Sequence, residues 1–267
     1  YYPSKDVLFY NADIHGHTIL RQRMEVVKGI LEQTVTTVVV SIDALLNKLV
    51  PLCEIQQNIV TFQLGEVLDL EPMKKRLVAL GYERNDWVDG VGQFAIRGGI
   101  LDIFPMSSEC PYRIELWGEE IDSIRSFDVE SQRSIENVES LSVYPAAEMV
   151  LEEERIQTGL KKLQKEHKAY AKKLKEEFKT EEYARINRAM EALKDELTCF
   201  HSAMGIDSYI GAFYSSLDSF LSYMPKDAQI LVDEPTRVLE RAEACQLEFR
   251  ESMVSRLEGG YMLPSQA

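Results

Sequence analysis

The sequence predicts an α/β chain interrupted by an α+β module that is dominated by an antiparallel sheet. Three observations carry this. Near both ends, at 35–40 and 228–232, β-branched or apolar runs lead into helix-capping residues, the grammar of strands buried beneath helices. Between about residues 60 and 144 the pattern changes to short strands separated by turn residues. From 152 to 200 apolar residues recur three and four apart, the signature of a helical hairpin.

In chain order, 7–10 is a short apolar run, and a helical period follows through Ile19, Met24, Val27, Ile30 and Leu31, ending near Gln33. The run 35–40 reads as a strand buried on both faces, because it is β-branched throughout. Ser41 and Asp43 offer caps to a helix carrying Ala44, Leu45, Leu46 and Leu49, which Pro51 stops. Residues 59–62 read as a strand. Pro72 then falls in the first turn of a helix that runs to Leu80 and is closed by Gly81. Strands are expected at 82–88, 94–104, 112–117, 120–127 and 141–144. The hairpin carries Ile156, Leu160, Leu163, Tyr170, Leu174 and Phe178 on its first arm, and Tyr183, Ile186, Met190, Leu193 and Leu197 on its second. Its turn falls near Lys179, where Thr180, Glu181 and Glu182 favour a helix start. Beyond Gly205 an apolar turn through Phe220, Leu221 and Met224 precedes the strand 228–232. A helix then passes through Val238, Leu239, Ala242 and Leu247 towards Gly259-Gly260.

With a formal net charge of -14 and a pI near 4.9, the chain repels DNA and anionic membranes, so a protein partner fits better than either. The hairpin holds twelve basic and eleven acidic side chains, the balance of a solvated face laced with pairs three and four apart. That leaves 18 basic and 33 acidic side chains elsewhere, so the rest is more acidic than the total implies. Cys53, Cys110, Cys199 and Cys245 lie in no CxxC pair, which points away from a zinc site or disulfide framework and towards a reducing cytoplasm. No run of about 18 uncharged apolar residues exists. The start at Tyr1-Tyr2-Pro3, without Met, is expected of a piece of something longer.

Asp233-Glu234 after Ile230-Leu231-Val232 has the form of a Walker B element, in which strand-end carboxylates hold magnesium. The sequence contains no GxxxxGK[ST] loop to cradle phosphates, so a helix-capping turn is the expected role. His15, His17, His167 and His201 make no ligand pattern, no GxSxG elbow occurs, and no cofactor is expected. Attention therefore falls on 92–105 and its continuation 112–120. Arg97 and Arg113 interrupt apolar strands there, so each is either paired internally or faces a partner. Gly98-Gly99 beside Arg97 reads as a bulge or bend that re-aims a side chain, and Trp117 follows Arg113 by four. Two arginines and a tryptophan are the composition of an interface hot spot. A core Trp with two internally paired arginines is the competing reading.

The runs Gly81-Tyr82-Glu83-Arg84, Gly92-Gln93-Phe94-Ala95-Ile96-Arg97-Gly98-Gly99-Ile100-Leu101-Asp102-Ile103-Phe104-Pro105, Tyr112-Arg113-Ile114-Glu115-Leu116-Trp117-Gly118-Glu119-Glu120 and Pro145-Ala146-Ala147-Glu148 closely resemble the N-terminal region of bacterial transcription-repair coupling factors. They are similar, more distantly, to the excision-repair protein UvrB. The resemblance implies a degenerate, N-terminally truncated P-loop-helicase-like domain split around an inserted UvrA-binding module. Its parts would be 1–59, 60–144 and 145–267, the last including the hairpin at about 152–201. It also implies that Arg97, Arg113 and Trp117 recruit UvrA, with Arg125 and Glu119 at the rim, and that relatives often carry Phe in the place of Trp117. This chain would be non-catalytic and cytoplasmic, without a membrane role. The ATP-driven translocase, RNA polymerase and DNA would be reached only through C-terminal parts of the parent. A UvrB-like helicase fragment that binds nucleotide and damaged DNA is the alternative, and a scaffold whose hairpin binds nothing is a third.

Overall fold

The computed structural model describes residues 1–5, 13–200, 203 and 205–266, without the side chains of 13–17 and 200. The apolar run at 7–10, His201 and the side chains of His15 and His17 lie outside the described residues. In chain order the helices are α1 (Asp13–Leu31), α2 (Ile42–Leu45), α3 (Leu52–Gln57), α4 (Leu70–Ala79), α5 (Glu153–Glu176), α6 (Thr180–Phe200), α7 (Ile210–Phe213) and α8 (Pro235–Glu258). The strands are β1 (Val60–Gln63), β2 (Glu83–Arg84), β3 (Gln93–Arg97), β4 (Ile100–Ile103), β5 (Tyr112–Trp117), β6 (Glu120–Phe127), β7 (Ser134–Asn137) and β8 (Ser140–Val143). The result is a mixed α/β chain with antiparallel sheets. It falls into two compact units: the described residues of Tyr1–Pro3, Asn11–Val39 and Leu52–Leu151, and those of Ser4–Tyr10, Val40–Pro51 and Glu152–Ala267.

The first unit is built on a six-stranded sheet in the order β2-β3-β4-β5-β6-β7, with β1 and β8 forming a separate antiparallel pair. Alternation decides which side of the sheet is dry. Phe94, Leu101, Ile103, Ile114 and Ile124 share one face and pack with Leu77 and Leu80 from the α4 region, Phe62 and Tyr82. Asp69 caps α4 by accepting the Glu71 amide at 3.0 Å, and the helix is closed by Gly81 at φ +90°. A Cβ on Gly81 would lie 2.6 Å from that of Ala147, so the close approach of these segments also requires glycine.

Two strand expectations in this unit are corrected, and one further strand is found. The run 94–104 is two strands, because the chain reverses at Gly98, φ +60°, and Arg97 pairs with Ile100 across a hairpin. The strand expected at 82–88 shrinks to β2, whose two residues run parallel to β3. The exposed β7 has no apolar alternation to announce it.

In the second unit α5 and α6 form the expected antiparallel hairpin, turning at Phe178, φ +58°. Their buried stripes include Ile156, Leu163 and Leu174 on one arm and Ile186, Met190 and Leu197 on the other. Gly159 makes room for the Phe213 ring, which would come within 2.3 Å of a Cβ there. Tyr170 donates its hydroxyl to the Leu257 carbonyl at 2.6 Å.

The helix expected after Ser41 is a single turn, α2, which Ser41 caps through the Ala44 amide. Leu49 leaves it to bridge with Asp218. The strands expected at 35–40 and 228–232 are absent. The Thr34 and Val35 amides both donate to the Gly29 carbonyl, ending α1 through Gln33 at φ +57°, and Val35 and Val39 are exposed. Ile230, Leu231 and Val232 are also exposed. A β-prone run becomes a strand only when a neighbour satisfies its backbone groups. Among the described residues the only parallel pairing is the two-residue contact of β2 with β3, so the expected P-loop-helicase-like domain is not found among them. No helix among the described residues is long and apolar enough to cross a membrane.

Candidate functional site

The strand register assembles a polar cluster on the sheet face opposite the main core. Ala95, Asp102, Arg113 and Arg125 lie in one row across β3 to β6, and Arg97, Ile100, Glu115 and Ser123 lie in the next. Asp102 is the centre, with only 1% of its surface exposed. Its Oδ1 accepts Arg113 Nε at 2.7 Å, and its Oδ2 accepts Arg113 Nη2 at 2.9 Å and Arg97 Nη2 at 2.5 Å. A buried carboxylate is tolerated only with such partners, and the two-point fork of Arg113 is the strongest geometry available. These hydrogen bonds raise the Arg113 pKa above its ordinary value, so the cation is fixed.

Phe127 and Gln132 seat the Arg113 side chain from the flanks. The guanidinium lies 4.7 Å from the Phe127 ring centroid, and Nη2 also donates to Gln132 Oε1 at 3.2 Å. Phe127 belongs to a small second core with Val88, Ala95 and Phe104. Directly opposite Arg113, on β6, stands Arg125, whose positive charge would oppose it. It is ion-paired instead with Glu115, which also accepts the Ser123 hydroxyl at 3.2 Å.

Trp117 ends β5 on the same side as Arg113 and Glu115, since the extra residue of the β-bulge lies in β6. The tip is firmly built: Gly118 turns at φ +68°, the Leu68 amide donates to the Glu119 carbonyl at 2.7 Å, and the Ile121 amide to that of Glu66 at 2.9 Å. The indole nevertheless stands 84% exposed, with Val67 also exposed on the bracing segment.

The structure therefore divides the two readings of these residues. Arg97 and Arg113 are internally paired, but their side chains remain 48% and 18% exposed, and Trp117 is no core residue. Arg97, Arg113, Trp117 and the rim candidates Arg125 and Glu119 all lie on β3, β5, β6 or the β5–β6 turn. Asp233 and Glu234 belong to the other unit. Glu234 occupies the cap position of α8 at φ +47°, but its side chain makes no capping bond and pairs with Arg237 at 3.0 Å. Asp102, Gln132, Phe127 and Glu115 went unselected in the sequence. A signal existed for Asp102: it falls between Leu101 and Ile103 in a strand, hence on the arginine side.

Among the described residues no group of His, Cys, Asp and Glu is arranged to hold a metal ion. All four cysteines are free. Cys245 donates its thiol to Asp43 at 2.7 Å and is pushed up to about 11, chiefly by burial, which suppresses the reactive thiolate.

Residues 60–149 match the family described as the UvrB interaction domain. The chain is 33% identical over 263 residues to the transcription-repair-coupling factor of Bacillus subtilis (strain 168), covering 98% of this chain and 22% of that protein. Against that of Staphylococcus aureus (strain USA300) it is 29% identical, over 97% of this chain and 22% of the relative, and against that of Staphylococcus haemolyticus 27%, with the same coverage. The chain spans about a fifth of the length of these curated relatives. Residues 60–149 are thus similar to the UvrB interaction domain family, in a chain that aligns along nearly its whole length with part of the transcription-repair-coupling factors.

Proposed function

We propose that this chain is the non-catalytic, UvrA-recruiting part of a transcription-repair coupling factor, and that Arg97, Arg113 and Trp117 form its contact surface with Arg125 and Glu119 at the rim. The observation that carries the reading is the pair of arginines gripped by Asp102 on the sheet face opposite the main core, with an indole left 84% exposed on the same side of β5. Exposed aromatic surface next to planar, fixed cations is the composition of a binding hot spot. The acidic chain offers little to nucleic acid, and this local cationic cluster fits an acidic protein surface.

The module would comprise about residues 60–144, flanked by 1–59 and 145–267. The likeness of those flanks to a split, degenerate helicase domain rests on sequence resemblance alone. The parent protein would drive DNA translocation and meet RNA polymerase and DNA through parts outside this chain. The 267-residue chain is expected to bind purified UvrA in calorimetry, and Arg97→Ala or Arg113→Ala to weaken the complex by about 2 kcal/mol. Unchanged affinity in both variants would remove these arginines from the site. Nucleotide binding by the chain would favour the UvrB-like alternative instead.

A further inference from the structure

Asp102 has no access to a partner, yet both arginines converge on it. We propose that Asp102 is a positioning residue for recognition: it holds the Arg97 and Arg113 guanidiniums side by side as a preformed fork for a carboxylate of the docking protein. The proposal rests on the UvrA-recruiting reading above and adds to it the residue that sets the geometry and the group that is recognised.

Two guanidiniums left to themselves on a sheet surface repel and spread into water. Here they share one oxygen, Asp102 Oδ2, at 2.5 and 2.9 Å. The buried negative charge between them cancels half of the local positive charge and makes their close approach favourable. Donors remain. Arg113 uses Nε and Nη2, and Arg97 uses only Nη2. That leaves both Nη1 groups and Arg97 Nε without hydrogen-bond partners among the described residues. Planar nitrogen donors held at fixed separation match the two oxygens of a carboxylate. The rotamer entropy of two long side chains is largely lost before the partner arrives, which is how preorganisation raises affinity. The supporting contacts serve the same end: Phe127 lies beneath Arg113, and Gln132 holds the Nη2 that also meets Asp102.

The test is Asp102→Asn in the 267-residue chain, which keeps side-chain volume and removes the charge. Affinity for UvrA is expected to fall about tenfold or more, although residue 102 remains buried. The Arg113→Ala loss should largely contain it, so that the double variant binds about as Arg113→Ala alone. Nitrogen-15 NMR supplies a readout that a general loss of stability would not move. The Arg113 Nε–H signal should be shifted and protected from exchange in the wild type, and should collapse towards free arginine in Asp102→Asn while backbone amides stay dispersed. Should Asp102→Asn fail to fold, Arg113→Lys decides, because a lysine keeps the charge but cannot grip two oxygens in a plane. Wild-type affinity in Asp102→Asn or in Arg113→Lys overturns the proposal and leaves the recruiting reading standing. Absence of UvrA binding by the wild-type chain overturns both.

Discussion

Two arginine–carboxylate clusters in the first unit use the same chemistry to opposite ends. Arg23 of α1 is wholly buried: it donates to Glu148 through Nε at 2.5 Å and Nη2 at 3.4 Å, to the Pro3 carbonyl through Nη1 at 2.8 Å, and stacks 4.3 Å from the Tyr2 ring. In the sheet cluster the carboxylate is buried and the arginines reach the surface. Inside-out placement is what separates them. A buried guanidinium with its donors committed ties distant parts of the chain together. A buried carboxylate beneath half-open guanidiniums leaves binding capacity facing water.

That contrast breaks if the two clusters respond alike to truncation. The largest effect should come from Arg23→Ala, which removes a wholly buried guanidinium that Glu148 and the Pro3 carbonyl accept from. Removing one partner of a buried pair costs about 3–5 kcal/mol. Urea unfolding should register that loss, while UvrA affinity measured on the folded fraction stays at the wild-type value. A fall in affinity with no loss of stability would make Arg23 a binding residue and erase the distinction.

The sequence exposes these two clusters unequally, for a physical reason. Arg97 and Arg113 stand out because strand alternation is local, and a cation inside an apolar run is visible within a few residues. Arg23 and Glu148 lie 125 residues apart, and nothing local marks a helix arginine as buried. Locality likewise explains which elements were legible. β5 and β6 follow from alternation around Gly118, and α5 and α6 from apolar spacing. The runs 35–40 and 228–232 are both β-prone or apolar, but propensity carries no information about a partner strand, and neither forms a strand here, although the Val39 carbonyl accepts the Tyr2 amide at 2.9 Å. Gly98-Gly99 permitted either a bend within one strand or a reversal between two, and the choice depends on which strand lies beside it. Nothing local marks Asp102 as buried, because a carboxylate at alternate strand positions ordinarily faces solvent, whereas two arginines cover this one.

The comparison sharpens at Trp117, which shares the arginines' face but has no part in their ion pairs. An indole 84% exposed contributes little to the fold, so Trp117→Ala should leave the unfolding midpoint within about 0.5 kcal/mol of wild type. Its UvrA affinity should nevertheless drop by about 1–2 kcal/mol, the cost of removing an aromatic anchor. Trp117→Phe, which keeps an aromatic ring, should recover most of that loss. Stability lost in Trp117→Ala together with binding would mean that the indole belongs to the fold after all.

The smallest effect belongs to a third arginine–carboxylate pair, Arg237 with Glu234 at the start of α8, in which both side chains are largely exposed. Their attraction acts through water, is screened by salt, and is offset by the entropy of holding two long side chains together. Arg237→Ala is therefore expected to unfold with wild-type chevron arms in 0.15 M salt and to bind UvrA unchanged. The three pairs then form a series. With the guanidinium buried, the pair would decide whether the chain folds; with the carboxylate buried, what the chain can hold; with neither buried, nothing measurable. A clear loss of stability in Arg237→Ala would show that burial is not the variable that orders them. The αL backbone of Glu234, at φ +47°, would then be the place to look, because a strained residue can lean on an ion pair that would otherwise be idle.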